Sequence, residues 1–305
     1  MNHASHSSAA GARGPGKLTL IFWLIVMLLL WSFNYIAGKI ALRHMDPFSL
    51  TSFRFVLAAL FMLPIYFARP VRAKLRARDI WPFLYLGFFG VVLNQGLFTV
   101  GLNYTTSGHA AVIVALGPVV ILLLAWAFRQ ESLTTGKVAG MILSFLGILL
   151  LETDHGFFSR SPLLLGDVIS LGGTIGFAFY VVLGKYVAEQ YDAISMNTFN
   201  CLAAAILVSP LALHQAWRIH WAAIGWAGWA GLVYMAAGSS VAAYLIFFWA
   251  LRYLSASRIG AVSYVQPIMV ILLASAFLSE HPTRNLLAGT ALVLLGVYLA
   301  ERAPV

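Results

Sequence analysis

Charged residues and cysteine are both scarce in this chain of 305 residues. Only 10% of the residues are charged, against roughly 25% in soluble globular proteins, while 61% are apolar. So few charges cannot cover a water-exposed surface, which excludes a soluble globular domain. The single cysteine, Cys201, excludes an intrachain disulfide framework and a cysteine-based metal site. We predict that the protein holds no metal and no cofactor.

Motifs for ATP hydrolysis and for membrane-embedded catalysis are also missing. The chain has no Gly-x4-Gly-Lys-[Ser/Thr] phosphate-binding loop and no His-Glu-x-x-His zinc motif. No Asp or Glu falls in the middle of any stretch long and apolar enough to span a membrane, so paired carboxylates for acid–base chemistry are absent there. We therefore predict that the protein is not an enzyme. The net charge of +9 does not indicate a nucleic-acid partner, because the basic residues cluster between the uncharged runs.

Long uncharged runs fill most of the chain. A transmembrane helix needs about 20 apolar residues, each of which adds about 1.5 Å. Seven runs reach this length alone, and three shorter runs reach it if a basic residue lies at the helix end. We predict ten transmembrane helices, with the lipid bilayer as a partner. The runs are 18–38, 80–108, 110–128, 168–184, 193–213, 221–251 and 259–279, with shorter ones at 55–68, 138–151 and 285–300.

Lysine and arginine are distributed unevenly between alternate loops. With the N-terminus inside, the inner side holds 13 of these residues and the outer side 5, with Arg54 set aside as intramembrane. Basic residues concentrate in the cytoplasmic loops of membrane proteins. We therefore predict a multi-pass protein of the cell inner (plasma) membrane with both termini in the cytoplasm.

The two halves of the chain resemble each other in two ungapped blocks. At an offset of 146 residues Asp46 matches Asp192, and at an offset of 149 residues Pro118 matches Pro267. So many glycine, proline and charged positions do not coincide in fixed register by chance. The same register aligns Gly38 with Gly184, Ser49 with Ser195, Pro64 with Pro210, Glu131 with Glu280, Gly140 with Gly289, and Gly147 with Gly296.

Each half holds five predicted helices. An odd number forces the second half to enter the membrane from the opposite side, and such inverted repeats are a recurrent transporter architecture with a midplane substrate site. We predict an all-α integral membrane fold of two inverted five-helix repeats, at 18–152 and 163–302. A flexible cytoplasmic N-terminus over residues 1–17 precedes them.

With these features the chain resembles the drug/metabolite transporter superfamily, in its ten-helix branch of two EamA-type repeats. The resemblance covers about residues 18–302, and it implies export of amino acids, other metabolites or drugs through a cavity lined mainly by helices 1, 3, 4, 6, 8 and 9. The family often has a tryptophan near Ala178, where this chain has Phe177 and Phe179, so the cavity shape does not carry over. The stretches that carry the resemblance are 111–131, 261–280, Ser52-Phe-Arg-Phe in helix 2, and Gly166-Asp167, which opens helix 6.

Polar and aromatic residues inside the predicted helices are the candidate substrate-binding residues. A polar side chain in hydrocarbon needs a hydrogen-bond partner. Each one either bridges two helices or lines a wet cavity, and both alternatives stay open. Their gathering in helices 1, 3, 6, 8 and 9 favours the cavity. The candidates are Trp31, Asn34, Asn94, Gln95, Phe98, His109, Tyr180, Ser240, Tyr244, Ser263, Tyr264 and Gln266.

Four basic or titratable residues each allow more than one interpretation. His109 is the one candidate for proton coupling, and the alternative is an uncharged, hydrogen-bonded residue at the interface. Arg54 lies about 10 Å into helix 2 and is either a functional cation or a snorkelling residue. Lys39 and Arg43 lie on the same outer side, so the three cations could form a vestibule that attracts carboxylates. Carboxylate-based coupling is unsupported, and gradient-driven exchange or efflux is predicted.

The predicted function is export of small amphipathic metabolites, foremost amino acids, by alternating access through a cavity between the repeats. Pro118 and Pro267 each remove a backbone hydrogen bond and are the predicted gating hinges. We expect a monomer to be functional. A multidrug or cation efflux transporter is the alternative, weakened by the absence of a buried acidic residue, and a membrane-embedded enzyme is the least favoured.

Overall fold

The computed structural model describes residues 15–129, 132–153, 161–188, 190–250, 253–254 and 264–302. Within these ranges the regular structure is helical, and no strand occurs. Short 3₁₀ turns at Ala77–Asp79 and Trp221–Ala223 accompany the helices. In chain order the helices are α1 (Lys17–Leu42), α2 (Pro47–Phe67), α3 (Ala77–Tyr104), α4 (Ser107–Ala127), α5 (Thr135–Glu152), α6 (Pro162–Ala188), α7 (Ala193–Arg218), α8 (Trp226–Ala250), α9 (Gln266–Leu278) and α10 (Arg284–Arg302).

Eight of the described helices, α1 to α8, are long and apolar enough to cross a membrane. The two remaining ones, α9 and α10, are shorter apolar helices. The prediction of a multi-pass helical membrane protein is therefore confirmed. The Gly166-Asp167 pair, however, does not open α6, because this helix begins at Pro162 and Asp167 lies in its second turn. Asp167 is thus placed inside a helix that is long enough to span.

The starts of α2 and α7 are built in the same way. Asp46 accepts hydrogen bonds from the backbone amides two and three residues later, and Asp192 does the same. In each helix the serine of the first turn, Ser49 or Ser195, donates to the second carboxylate oxygen. A carboxylate at this position satisfies free amides and interacts favourably with the positive end of the helix dipole. The two matched aspartates therefore fix two matched helix starts.

Two helices contain a π-helical segment, in which the turns are wider than in an α-helix. The segment of α3 covers Phe88–Gly96, and that of α8 covers Met235–Ala243. Both are nine residues long, and they lie 147 residues apart in the sequence. Apolar composition alone gave no signal for either segment, because a helix that is apolar on most faces shows no break in periodicity.

Helix α4 is interrupted between Val114 and Gly117. Pro118 lies in the first turn after this interruption, and Pro267 lies in the first turn of α9. Proline is tolerated in a first turn because its missing amide hydrogen has no partner there in any case. Both matched prolines therefore begin a helical segment, whereas their role as hinges stays a prediction.

Glycines bring α5 and α10 into backbone contact. A Cβ added at Gly147 would lie 2.8 Å from the carbonyl oxygen of Gly289, and one added at Gly289 would lie 2.7 Å from that of Gly147. Gly140 meets Gly296 in the same reciprocal way. Small residues allow such close helix packing in membranes. All four glycines of the two matched pairs thus lie in this helix contact, although Gly140 faces Gly296 and Gly147 faces Gly289, not their own sequence matches.

Candidate functional site

Arg54 lies in α2 and reaches the π-helical segment of α8. Its Nε donates to the Ser240 hydroxyl over 2.9 Å, and its Nη2 donates to the Ser239 hydroxyl over 3.2 Å. The side chain is only 1% exposed, so the alternative of a snorkelling arginine is wrong. Its guanidinium carbon also lies 5.2 Å from the ring centroid of Phe55. The structure therefore buries a cation beside two hydroxyls and an aromatic ring.

No carboxylate neutralises Arg54 within the described part of the chain. The ion pairs there involve other residues, and the Nη1 of Arg54 has no hydrogen-bond partner among the described residues. A buried charge without a counter-ion is costly, and intramembrane cations are usually paired or functional. The remaining N–H groups can therefore donate hydrogen bonds to the oxygens of an anionic group that comes from outside the chain.

Helix α7 lines the same region with amides and the single thiol. The Nδ2 of Asn197 donates to the backbone oxygen of Ser240 over 3.2 Å, and its Oδ1 accepts from Cys201. Cys201 and Tyr244 both lie near Arg54. The Oδ1 of Asn200 has no partner among the described residues. These α7 residues are not among the predicted site residues, although Asn197 and Asn200 stand out as amides within an apolar run.

Aromatic side chains from α1, α6 and α8 surround this polar region. Trp31 packs edge-to-face on Tyr244 with ring centroids 5.5 Å apart, and on Phe247 at 5.7 Å. Tyr180 stacks on Phe177 with ring centroids 6.1 Å apart, and Tyr244 packs against the same cluster of buried side chains. The Tyr180 hydroxyl has no hydrogen-bond partner among the described residues. The structure therefore brings together four predicted residues: Trp31, Tyr180, Ser240 and Tyr244.

Other predicted residues make contacts between helices. The Nδ2 of Asn94 donates to the carbonyl of Gly173 in α6 over 2.9 Å, and the Nε2 of Gln95 donates to the Asn94 Oδ1 over 2.6 Å. Phe98 packs edge-to-face on Tyr35 with centroids 5.0 Å apart. The Asn94 bond and the Phe98 packing each join two helices, as a bridging role requires, whereas the Gln95 bond lies within α3. Substrate contact by Asn94, Gln95 and Phe98 stays a prediction.

Asn34 lies in α1 and is buried, and its Oδ1 has no partner among the described residues. It is thus a buried acceptor without a donor, in the same helix as Trp31. A substrate ammonium or hydroxyl group could satisfy this oxygen.

The predicted residues near α9 are only partly described. Tyr264 is half-buried and packs against an apolar cluster that includes Val112 and Ile271. Gln266 begins α9 and is also half-buried. Ser263 lies outside the described residues. A common site for these three stays a prediction.

His109, in the first half of α4, contacts the carboxylate of Asp167, which is not among the predicted site residues. Its Nδ1 lies 2.9 Å from the Oδ2 of Asp167, and both side chains are buried. The alternative of a hydrogen-bonded histidine is thus observed. The expectation that His109 stands alone as a titratable group is wrong, because Asp167 lies beside it inside α6.

The three predicted vestibule cations make different contacts. The Nζ of Lys39 donates to the backbone oxygen of Thr105 over 2.5 Å, and Arg43 is exposed. Arg54 bonds to α8, as described above. An outer vestibule formed by Lys39 and Arg43 stays a prediction.

Comparison with known proteins gives consistent matches over nearly the whole chain. The model of the EamA-like transporter family matches twice, at residues 18–153 and 164–301. An uncharacterized transporter of Archaeoglobus fulgidus is 27% identical over 283 residues, which cover 92% of this chain and 98% of the relative. The uncharacterized transporter YvbV of Bacillus subtilis is 27% identical over 92% of this chain and 90% of its own length.

More distant similarities agree with these. A WAT1-related protein of Arabidopsis thaliana is 24% identical, covering 81% of this chain and 72% of the relative. A solved crystal structure superimposes with a TM-score of 0.67 at 21% identity, covering 93% of this chain and 98% of that one. At this identity the structure supports the fold alone.

Proposed function

Because this chain belongs to the EamA-like transporter family, and is therefore a membrane transporter and not an enzyme, we propose that it exports small amphipathic metabolites, foremost amino acids. The substrate binds between α1, α2, α6, α7 and α8, with Arg54 at the centre of the site. The alternative of multidrug or cation efflux is disfavoured because the same cation would repel a cationic drug.

The single observation that carries this proposal is the buried guanidinium of Arg54 without a counter-ion among the described residues. Arginine presents a planar fork of donors that fits the two oxygens of a carboxylate. The aromatic rings of Trp31 and Tyr244 offer an apolar wall for the rest of the substrate. The Oδ1 atoms of Asn34 and Asn200, which have no hydrogen-bond partner among the described residues, offer acceptors for an ammonium group. A carboxylate, an ammonium group and an apolar side chain together describe an amino acid.

We further propose that ten helices form two inverted repeats. Three observations support this: the family model matches twice, Asp46 and Asp192 cap matched helices, and the π-helical segments lie at matched positions. Packing also follows the repeat, since α1 packs on α8 and α9, and α6 packs on α3 and α4. A pseudo-two-fold axis between α5 and α10 accounts for their reciprocal glycine contacts.

Transport by alternating access follows from this symmetry. Two copies of one unit, inserted in opposite directions, have two near-equivalent arrangements that open to opposite sides. The interruption of α4 before Pro118 gives one place for the required bend. We place both termini in the cytoplasm, with the inner membrane as the location, on the distribution of the basic residues. A monomer as the functional unit is part of the proposal.

A counterflow assay with purified protein in liposomes tests the function. Liposomes are preloaded in turn with each of the common amino acids, and uptake of the same labelled amino acid is measured, with a cationic dye in a parallel series. We expect at least one amino acid to exchange. Arg54→Gln lowers that exchange by about tenfold or more, because losing a buried charge contact costs more than about 1.4 kcal/mol.

Arg218→Gln is the matched control. It removes the same type of side chain from an exposed position at the end of α7. Its exchange rate should equal that of the wild type. Flux of the dye without flux of any amino acid supports the cation-efflux alternative. Unchanged amino-acid exchange by a folded Arg54→Gln variant overturns the assignment of the site.

A further inference from the structure

A second buried cluster of titratable side chains lies away from Arg54, where α3, α4, α5 and α6 meet. Asp167 in α6 is its centre: its Oδ2 contacts the His109 Nδ1 at 2.9 Å, and its Oδ1 accepts from the Thr105 hydroxyl at 2.5 Å. Glu152, the last residue of α5, lies beside Asp167. The exposed fractions are 2% for Asp167, 3% for His109 and 9% for Glu152.

Two buried carboxyl groups that lie side by side cannot readily both be ionised, because two ionised carboxylates repel each other strongly when buried. Within the described part of the chain, neither Asp167 nor Glu152 forms an ion pair with lysine or arginine, and His109 is the one basic side chain in contact. The Oε2 of Glu152 has no hydrogen-bond partner there. The cluster therefore requires at least one bound proton to remain assembled.

The charged groups around the cluster can be named from each neighbouring helix. Lys39 approaches from α1, where its ammonium binds the Thr105 carbonyl. Glu280, just after α9, accepts from the backbone amide of Ser107 at the start of α4. On the side of α10, the side-chain amide of Asn285 donates a hydrogen bond to the Thr153 hydroxyl, and neither group is charged. Among the described residues, one cation and one anion thus flank the cluster without touching its carboxylates.

We propose that His109, Asp167 and Glu152 form a proton-binding site that couples transport to a proton gradient. No covalent chemistry is involved: a proton from water is held between Asp167 and Glu152, with His109 as the second proton acceptor. Loss of that proton leaves two buried carboxylates in contact, so their repulsion separates the end of α5 from α6. The proposal rests on the transport function proposed above, and it supplies the coupling ion.

The first half of α4 is the element that can respond to this proton. The segment Ser107–Val114 carries His109 and is separated from the rest of α4 by the interruption before Gly117. Thr105, just before the segment, bonds to Asp167 through its hydroxyl and to Lys39 through its carbonyl. A change of protonation at Asp167 therefore reaches α1, which also carries Trp31 of the candidate substrate site.

Infrared difference spectroscopy on the full chain in lipid nanodiscs tests the site without any substrate, because the proton itself is the probe. In the wild type, we expect a carbonyl-stretch band of a protonated carboxylic acid that disappears as the pH is raised. Asp167→Asn and Glu152→Gln should each remove this band, since the two groups share one proton. Asp46→Asn, which changes a helix-capping carboxylate elsewhere, should keep it.

Two results overturn the proton site: a wild-type spectrum with no such band, or a band that survives in both variants. The absence of the band from the wild-type spectrum overturns the site even if a variant fails to fold, and one folded variant is enough to test the assignment. Coupling of transport to protons is then tested by measuring amino-acid uptake into liposomes with and without an inward pH gradient. The amino acids are those that exchange in the counterflow assay. We expect the gradient to stimulate wild-type uptake and to have no effect on Asp167→Asn, which should still exchange.

Equal wild-type uptake with and without the gradient overturns coupling but leaves the proposed transport function intact. The absence of any amino-acid flux overturns the function, and the proton site is then judged from the spectra. The two failures are therefore distinguishable.

Discussion

The Nε of Arg54 donates a 2.9 Å hydrogen bond to the hydroxyl of Ser240, and this bond joins α2 to the π-helical segment of α8. Ser240→Ala leaves the buried Nε without its acceptor. We expect the free energy of unfolding to fall by about 1–3 kcal/mol, the usual cost of a buried donor without a partner. Ser240→Thr keeps a hydroxyl and should lose less. Denaturant unfolding of the purified protein in detergent measures both variants.

Ser209→Ala is the matched control for this prediction. The Ser209 hydroxyl bonds to the carbonyl of Ile206 in its own helix at an exposed position, so its loss should change stability by less than about 0.5 kcal/mol. Equal destabilisation by Ser240→Ala and Ser209→Ala would contradict a special role for the contact between Arg54 and Ser240.

The contact between α5 and α10 predicts intolerance of any side chain at Gly147. Gly147→Ala places a methyl group 2.8 Å from the Gly289 carbonyl oxygen, so the two backbones must move apart. We expect a loss of about 1–3 kcal/mol in unfolding free energy, the usual cost of overpacking. Gly16→Ala is the control, because a Cβ there meets no atom within 4 Å. A Gly147→Ala variant as stable as Gly16→Ala would show that the helices are not packed this closely.

The membrane-spanning helices could be predicted from the sequence because lipid imposes a simple requirement on them. Every backbone polar group in hydrocarbon must be bonded within the segment, so an uncharged run of sufficient length becomes a helix. The first eight predicted spans appear as α1 to α8. The error at Asp167 has the same origin: the uncharged run was counted from residue 168, but the helix extends back to Pro162.

The rotation of each helix about its axis could not be predicted in the same way. A helix that is apolar on most faces does not show which face meets a neighbour, so Asn94 could either bridge to Gly173 or line a cavity. The role of Glu280 depends on tertiary structure too, because it bonds to the start of α4, far away in sequence. For the same reason the sequence did not indicate that Asn197 bonds to α8 beside Arg54.

The cap of α7 predicts a stability that depends on pH. Burial acts to raise the pKa of Asp192, but hydrogen bonds from Ser195 and from the Arg69 guanidinium outweigh it and hold the pKa below its usual value. A lowered pKa in the folded state means that the stabilisation is present above the unfolded pKa of about 4 and is lost as the pH falls through the folded value. Asp192→Ala should therefore cost about 0.5–2 kcal/mol at pH 7 and less in acid.

Asp46→Ala is the internal control for the Arg69 contribution. Asp46 has the same cap geometry and forms no ion pair within the described residues. The Arg69–Asp192 pair is partly exposed, so it should add at most about 1 kcal/mol, and salt should reduce this difference. If the loss of stability caused by Asp192→Ala stays constant from neutral to acidic pH, the charge of the Asp192 carboxylate does not contribute to the cap.

The inverted repeat makes a sharp prediction for Lys74 and His220, which are 146 residues apart and exposed in equivalent loops, before α3 and before α8. Five helices lie between the two loops, so an inverted repeat places them on opposite faces of the membrane, whereas a parallel repeat places them on the same face. Cys201 is the single cysteine and is buried, so it should not react with a membrane-impermeant maleimide. We expect Lys74→Cys to be labelled only from the cytoplasmic side and His220→Cys only from the opposite side. Labelling of both from one side would exclude the inverted architecture, and reversed sides would overturn only the orientation derived from the basic residues.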